Sequence, residues 1–153
     1  MKSKLNRIVS VLSVGPVNSD SVSLACIFTD SDWTPYTSSK WALIESSTIG
    51  SAVASLRENR PPIVLCEADL DPGTWQVMLG EIIRLPEPPF LIVTSRLADE
   101  RLWAEVVNLG AYDVLAKPFE SKEVVRIVSL AWLHWKDRYE LPINPQTLMA
   151  AAT

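Results

Sequence analysis

The side chains best suited to nucleophilic, metal or redox chemistry are few in this sequence, and their spacing limits what they can do. Cys26 and Cys66 lie in apolar segments with no CxxC pair and no neighbouring histidine. Both are expected to be reduced, buried thiols that pack as small hydrophobes. His134 is the only histidine and sits between Leu133 and Trp135. A Ser-His-Asp triad or a multi-histidine zinc centre would have to be built around that one ring, so hydrolase and zinc chemistry are not expected. Gly15 and Pro16 follow the first apolar run without G-x-G-x-x-G spacing, which argues against a nucleotide-dependent oxidoreductase.

The segments that would position any site alternate between two periods. Apolar, β-branched runs at Ile8 to Val14, Trp41 to Glu45, Ile63 to Cys66, Phe90 to Val93 and Tyr112 to Leu115 predict five strands. Between and after them, Asp20 to Phe28, Ser47 to Arg57, Trp75 to Leu85, Asp99 to Leu109 and Ser121 to Arg138 predict five helices. Ile49, Val53 and Leu56 fall on one helical face, as do Leu102, Val106 and Leu109. Strands alternating with helices predict an α/β fold with a parallel sheet, in the order (βα)5. Gly110 stands where a left-handed cap is wanted, and Pro61-Pro62 and the Pro86 to Pro89 stretch stop two helices. Residues 30–40 are longer than an ordinary connection and are expected to form an insertion or a surface hairpin.

Composition agrees with one globular domain. The chain has 153 residues, 48% hydrophobic and 21% charged, enough for one core and too few for two comfortable ones. Eighteen acidic and 14 basic residues give a net charge of −4, with no block of like charge that would suit nucleic acid or a membrane surface. Met1 to Arg7 is basic, but the run after it is broken by Ser10, Ser13 and Gly15, too short and polar for a signal peptide or membrane span. A cytoplasmic location is therefore expected. Residues 1–138 are expected to form the domain, and 139–153, with Pro142 and Pro145, an extended or frayed tail with no output domain after it.

Three stretches, IVLCEADLDPG (63–73), LIVTSR (91–96) and LGAYDVLAKPF (109–119), resemble the third, fourth and fifth strands of response-regulator receiver domains with their following loops. The last is the most specific, since a lysine, a proline usually in a cis peptide and an aromatic residue close the fifth strand in that family, and Lys117-Pro118-Phe119 matches. The resemblance spans roughly residues 7 to 138. It implies a flavodoxin-like, five-stranded parallel sheet of order 2-1-3-4-5 with helices on both faces. Ligands of such a sheet gather at the carboxyl ends of strands one and three. It further implies an acidic pair after strand one for Mg²⁺, an aspartate phosphoacceptor after strand three, a hydroxyl after strand four and a lysine after strand five, acting by charge neutralisation and positioning.

Carried over residue by residue, that implied site is incomplete. Glu67 stands at the phosphoacceptor position. Gly15 and Pro16 stand where the acidic pair should be, and Asp20 already falls in the predicted first helix. Thr94 and Lys117 match the hydroxyl and the lysine, and Val114 replaces the aromatic switch residue. No metal ligand set and no cofactor are expected, because one glutamate is a poor Mg²⁺ site. Asp69 could add a carboxylate, but an ion pair between Asp69 and Arg96 across the rim is the favoured expectation, since a guanidinium matches a carboxylate with two hydrogen bonds.

The resemblance implies a signalling module without enzymatic activity. The leading expectation is a stand-alone, phosphorylation-independent pseudo-receiver in which Glu67 is paired with Lys117. The alternatives are a relic ion pair without regulatory meaning and a receiver still phosphorylated at Glu67 or a neighbouring aspartate. In the family the face of helices four and five is the usual docking surface. It implies Trp103 and Trp132 as interaction residues for a protein partner, a histidine kinase or another signalling protein, or for a homodimer; the competing expectation is that tryptophans on these helices are core.

Overall fold

The computed structural model describes residues 8–68 and 74–140. Ten elements alternate: β1 (Ile8–Val14), α1 (Ser19–Asp30), β2 (Lys40–Ser46), α2 (Ile49–Asn59), β3 (Ile63–Glu67), α3 (Thr74–Ile82), β4 (Phe90–Ser95), α4 (Glu100–Asn108), β5 (Asp113–Ala116) and α5 (Ser121–Tyr139). The strands form one parallel sheet in the order β2-β1-β3-β4-β5. The expected fold class and strand order are thus observed.

Alternation along the strands divides the interior in two. Ile63 and Leu65 of β3, Val9 and Val11 of β1, Ile92 of β4 and Leu115 of β5 pack against α1 and α5. Val64 and Cys66, Leu12 and Val14, and Leu91 and Val93 pack against α2, α3 and α4. Every residue of β3 is buried because it is the central strand, covered on both faces.

The helices start and stop where local chemistry requires. Asn18 caps α1, its side-chain oxygen accepting from the Ser21 backbone N–H at 3.0 Å while the Ser21 hydroxyl accepts from the Asn18 N–H. Asp20 lies in the first turn of that helix, where a carboxylate suits the positive end of the dipole. Gly110, at φ 102°, ends α4: its N–H bonds Val107 O at 3.1 Å and the Ala111 N–H bonds Val106 O at 3.0 Å, the paired bonds of a Schellman turn. That turn carries Leu109 off the helix, so Leu109 is 53% exposed and does not join Leu102 and Val106 on an inward face as expected.

Four other expectations are corrected. The residues after Asp30 form no hairpin: Trp33 is 6% exposed, with ring centroids 5.1 Å from Phe28 and 4.5 Å from Trp41, so it folds the loop onto the α1/α5 core. Cys26 is exposed, because it lies on the outer side of α1, whereas Cys66 is buried as expected. Trp132 is 1% exposed and lies within the α5 core, stacked on Trp135, so it is no interaction residue. Tyr139 belongs to α5 and packs on Trp135 instead of starting a tail; the rest of the expected tail, 141–153, lies outside the described residues. No helix among the described residues is long and apolar enough to cross a membrane.

Because Trp33 anchors its loop by aromatic packing, Trp33→Ala should lower unfolding stability by about 3 kcal/mol or more, measured by urea denaturation. A loss no larger than that of an exposed loop substitution would show that the loop does not depend on this ring.

Candidate functional site

The ends of three strands meet on one side of the sheet. Glu67 continues the alternation of Ile63 and Leu65, Thr94 that of Ile92, and Lys117 that of Leu115, so all three project toward the α1/α5 side. Glu67 and Thr94 are partners in the β3–β4 register, and the Ala68 N–H bonds Thr94 O at 2.8 Å. The Lys117 N–H bonds Ser95 O at 3.0 Å, and the Lys117–Pro118 peptide is cis, as the resemblance implies.

Burial makes charge pairing obligatory here. Glu67 and Lys117 are each 8% exposed, and the Lys117 ammonium donates to Glu67 Oε2. A semi-buried charge left alone would be strongly destabilised, so each group needs the other. Lys117 Nζ also lies 3.6 Å from Asp20 Oδ2, and Arg96 Nη2 donates to the same oxygen at 2.7 Å. One carboxylate from the first turn of α1 therefore stands between cations from the ends of β4 and β5.

Asp20 joins the site although nothing in its sequence position marks it as a site residue. It lies in the first helix, as the helical period predicts, but helix membership does not say where its side chain points. The available signal was parity: the strand-end residues face the α1 side, so an acid in the first turn of α1 is within their reach. For the expected pairing of Asp69 with Arg96, Asp69 lies outside the described residues, and Arg96 is paired with Asp20. Asp71 and Pro72 also lie outside them.

The end of β1 brings no carboxylate. Gly15 bonds Ser46 O through its N–H at 3.0 Å, and a Cβ built on Gly15 would come within 3.3 Å of Glu67 Cβ. Gly15, Asp20, Glu45, Ser46, Glu67 and Thr94 border a cleft of about 120 Å³. Among the described residues no group of three His, Cys, Asp or Glu side chains is placed to hold a metal ion. The donor set suits Mg²⁺ poorly, because Asp20 already binds two cations and Glu67 one. The Glu67 Oε1 atom is buried and has no hydrogen-bond partner.

Cys66 precedes Glu67 and faces the opposite core. Burial first, and the neighbouring Glu67 charge second, push its thiol up to about 12. His134 lies far from this cleft in the fold, at the other end of the sheet, where its Nδ1 meets the Tyr112 hydroxyl at 2.6 Å. Trp103, on α4, is 52% exposed, and Val107 one turn later is also exposed.

No protein-family model matches the chain, and no curated protein sequence matches it. Solved structures do. The signal receiver domain of a protein named as a Luxo repressor from Vibrio parahaemolyticus superposes with a TM-score of 0.69 at 19% identity, covering 89% of this chain and 98% of that one. This chain has the receiver fold. The signal receiver domain of an HD domain-containing protein from Pseudomonas fluorescens gives 0.66 at 20% identity, over 86% and 99% of the two chains. A CheY-like response regulator receiver domain protein from Methanospirillum hungatei gives 0.66 at 14%, over 86% and 98%.

Lys117→Ala should lower stability by about 3–5 kcal/mol, because it strands Glu67, whereas Lys117→Met combined with Glu67→Met should recover most of that loss. Chemical denaturation of the three proteins checks this; equal losses in single and double variants would mean that packing, not charge, is what Lys117 supplies. In thiol labelling at pH 8, the native protein should take one equivalent of iodoacetamide, at Cys26, and none at Cys66, whose thiolate is suppressed. Labelling at both cysteines in the folded protein would contradict the burial of Cys66.

Proposed function

We propose that this chain is a receiver-type signalling domain that works without accepting a phosphoryl group, as a non-enzymatic protein-interaction module in the cytoplasm. The observation that carries the reading is the Glu67–Lys117 pair. Lys117 is already paired with the Glu67 carboxylate where the resemblance puts a phosphoacceptor, and Asp20 Oδ2 stands 3.6 Å from the same ammonium. A developing phosphoryl dianion would meet carboxylates and no metal-binding acidic pair, the reverse of what phosphoryl transfer needs. On this reading neither Mg²⁺ nor another cofactor is used, and the strand ends are held in one arrangement by ion pairs.

The partner is proposed to be a protein, a histidine kinase or another signalling protein, docking on the outer side of α4 next to α5. Trp103 and Val107 are spaced one turn apart on that side and are both exposed, and a large exposed aromatic suits a binding hot spot. A second copy of the chain is the other candidate occupant of this face.

With acetyl phosphate or beryllofluoride in excess Mg²⁺, the protein should show no phosphoryl mass shift and no amide-shift changes around Glu67. Glu67→Asp alone should gain nothing, whereas adding Gly15→Asp and Pro16→Asp supplies the missing carboxylates and should permit uptake once residue 67 gives way to the new Cβ. Uptake by the unmodified protein would overturn the proposal. Sedimentation at rising concentration, repeated with Trp103→Ser, tests the face: association abolished by the substitution marks a homodimer, and a concentration-independent monomer removes that occupant.

A further inference from the structure

We infer that this chain self-associates through the free edge of β2, two copies pairing their β2 strands antiparallel into one continuous sheet. The two edges of the sheet are not alike. β5 has four residues, and the Asp113 carboxylate accepts the Val114 N–H at 2.8 Å. β2 has seven residues and hydrogen-bonds β1 alone. It holds no proline, and no charged residue stands between Lys40 and Glu45. Shortness, proline and central charge are the usual means of blocking strand addition at an edge, and β2 has none of them.

The backbone fixes which groups are open. The Gly15 N–H bonds Ser46 O at 3.0 Å, and Ser46 is the register partner of Val14, so Ser46 turns its peptide groups toward β1. Alternation turns those of Ala42 and Ile44 the same way, and those of Trp41, Leu43 and Glu45 outward. Outside the β1–β2 ladder no backbone hydrogen bond reaches these three among the described residues. A two-fold axis perpendicular to the sheet at Leu43 sets Leu43 opposite its own copy, and Trp41 opposite Glu45 of the second copy. Each of these pairs exchanges both its N–H···O bonds, so every outward N–H and C=O of the three residues is used. Centring on Ala42 leaves Glu45 without a partner in the strand, and centring on Ile44 leaves Trp41 without one. Half-way registers are excluded, because facing residues must share a face of the sheet.

The occupant is a second copy because the strand complements itself. Lys40 opens β2 and Glu45 stands near its end, so antiparallel order brings each basic end to the other's acidic end, whereas parallel order would set like charges side by side. On the α2 face, Ala42 meets Ile44 of the second copy, an apolar pair that extends the core against which Ile44 packs. On the other face, Ser23, Cys26 and Asp30 of α1 line the groove shared with α5. Val22, Ala25 and Thr29, at i, i+3 and i+7, therefore lie on the flank of α1 away from α5, and Val22 is 58% exposed. A second α1 brought alongside covers it. The α4 face, beside β5 at the opposite edge, stays free for the partner proposed above.

Sedimentation over rising concentration, combined with amide hydrogen exchange, tests this. The protein should be dimeric by about 1 mM, as a small interface allows. In the dimer the amides of Trp41, Leu43 and Glu45 should be protected along with those of Ala42 and Ile44. On dilution the first three should exchange at least about tenfold faster while Ala42 and Ile44 stay protected by β1. Glu45→Pro removes an outward N–H at an edge position where a folded monomer tolerates proline, so it should give a folded monomer by circular dichroism. Should that variant unfold, the alternation of exchange in the unmodified protein decides alone. Trp103→Ser should dimerise as the unmodified protein does. A monomer at about 1 mM, a dimer whose Trp41, Leu43 and Glu45 amides exchange freely, a dimer that survives in folded Glu45→Pro, or one dispersed by Trp103→Ser would each overturn the proposal.

Discussion

Side chains alternate between the two faces of a parallel sheet, so Leu65 and Glu67, Ile92 and Thr94, and Leu115 and Lys117 share the face covered by α1 and α5. Three apolar residues become three polar ones at the point where each strand leaves the core. Polar groups gathered there are largely out of water, which makes their pairing a condition of folding as much as a device of function. The contacts of Lys117 with Glu67 and with Asp20 follow from that one constraint.

The same constraint explains why the site has its charge distribution. Lys117 is the most enclosed of the charged groups, and it is the one with two carboxylates around it. Arg96 is more exposed, and solvent screens its pair with Asp20. The carboxylates are supplied by β3 and α1, not by the end of β1, where Gly15 lies so close to Glu67 that a larger residue would press on it.

The sheet was legible because strand and helix periods differ and because Gly110 and the paired prolines mark the turns. The strand ends were legible through Lys117-Pro118-Phe119 and the spacing of Glu67 and Thr94. Three things were not. Trp33 looked like part of a polar loop, yet it packs on Phe28 of α1 and Trp41 of β2, a cluster that forms only because α1 and β2 lie side by side. Trp132 and Trp103 looked alike on their helices, and only the packing of α5 along the sheet buries one while the shorter, outer α4 exposes the other. Asp20 looked like an ordinary first-turn acid, and it is one; its second role depends on which way three strands end.

That double placement of Asp20 couples two events usually treated apart. Its carboxylate belongs to the opening turn of α1, held by the Asn18–Ser21 capping box, and also to the cation pair beneath it. Fraying of that turn would draw the carboxylate away from Arg96 and Lys117, and loss of either cation would remove a reason for the turn to stay wound. The protection of the α1 amides against hydrogen exchange is therefore tied to electrostatics at the far ends of β4 and β5. A partner that pulls on Arg96 would loosen the start of a helix it never touches.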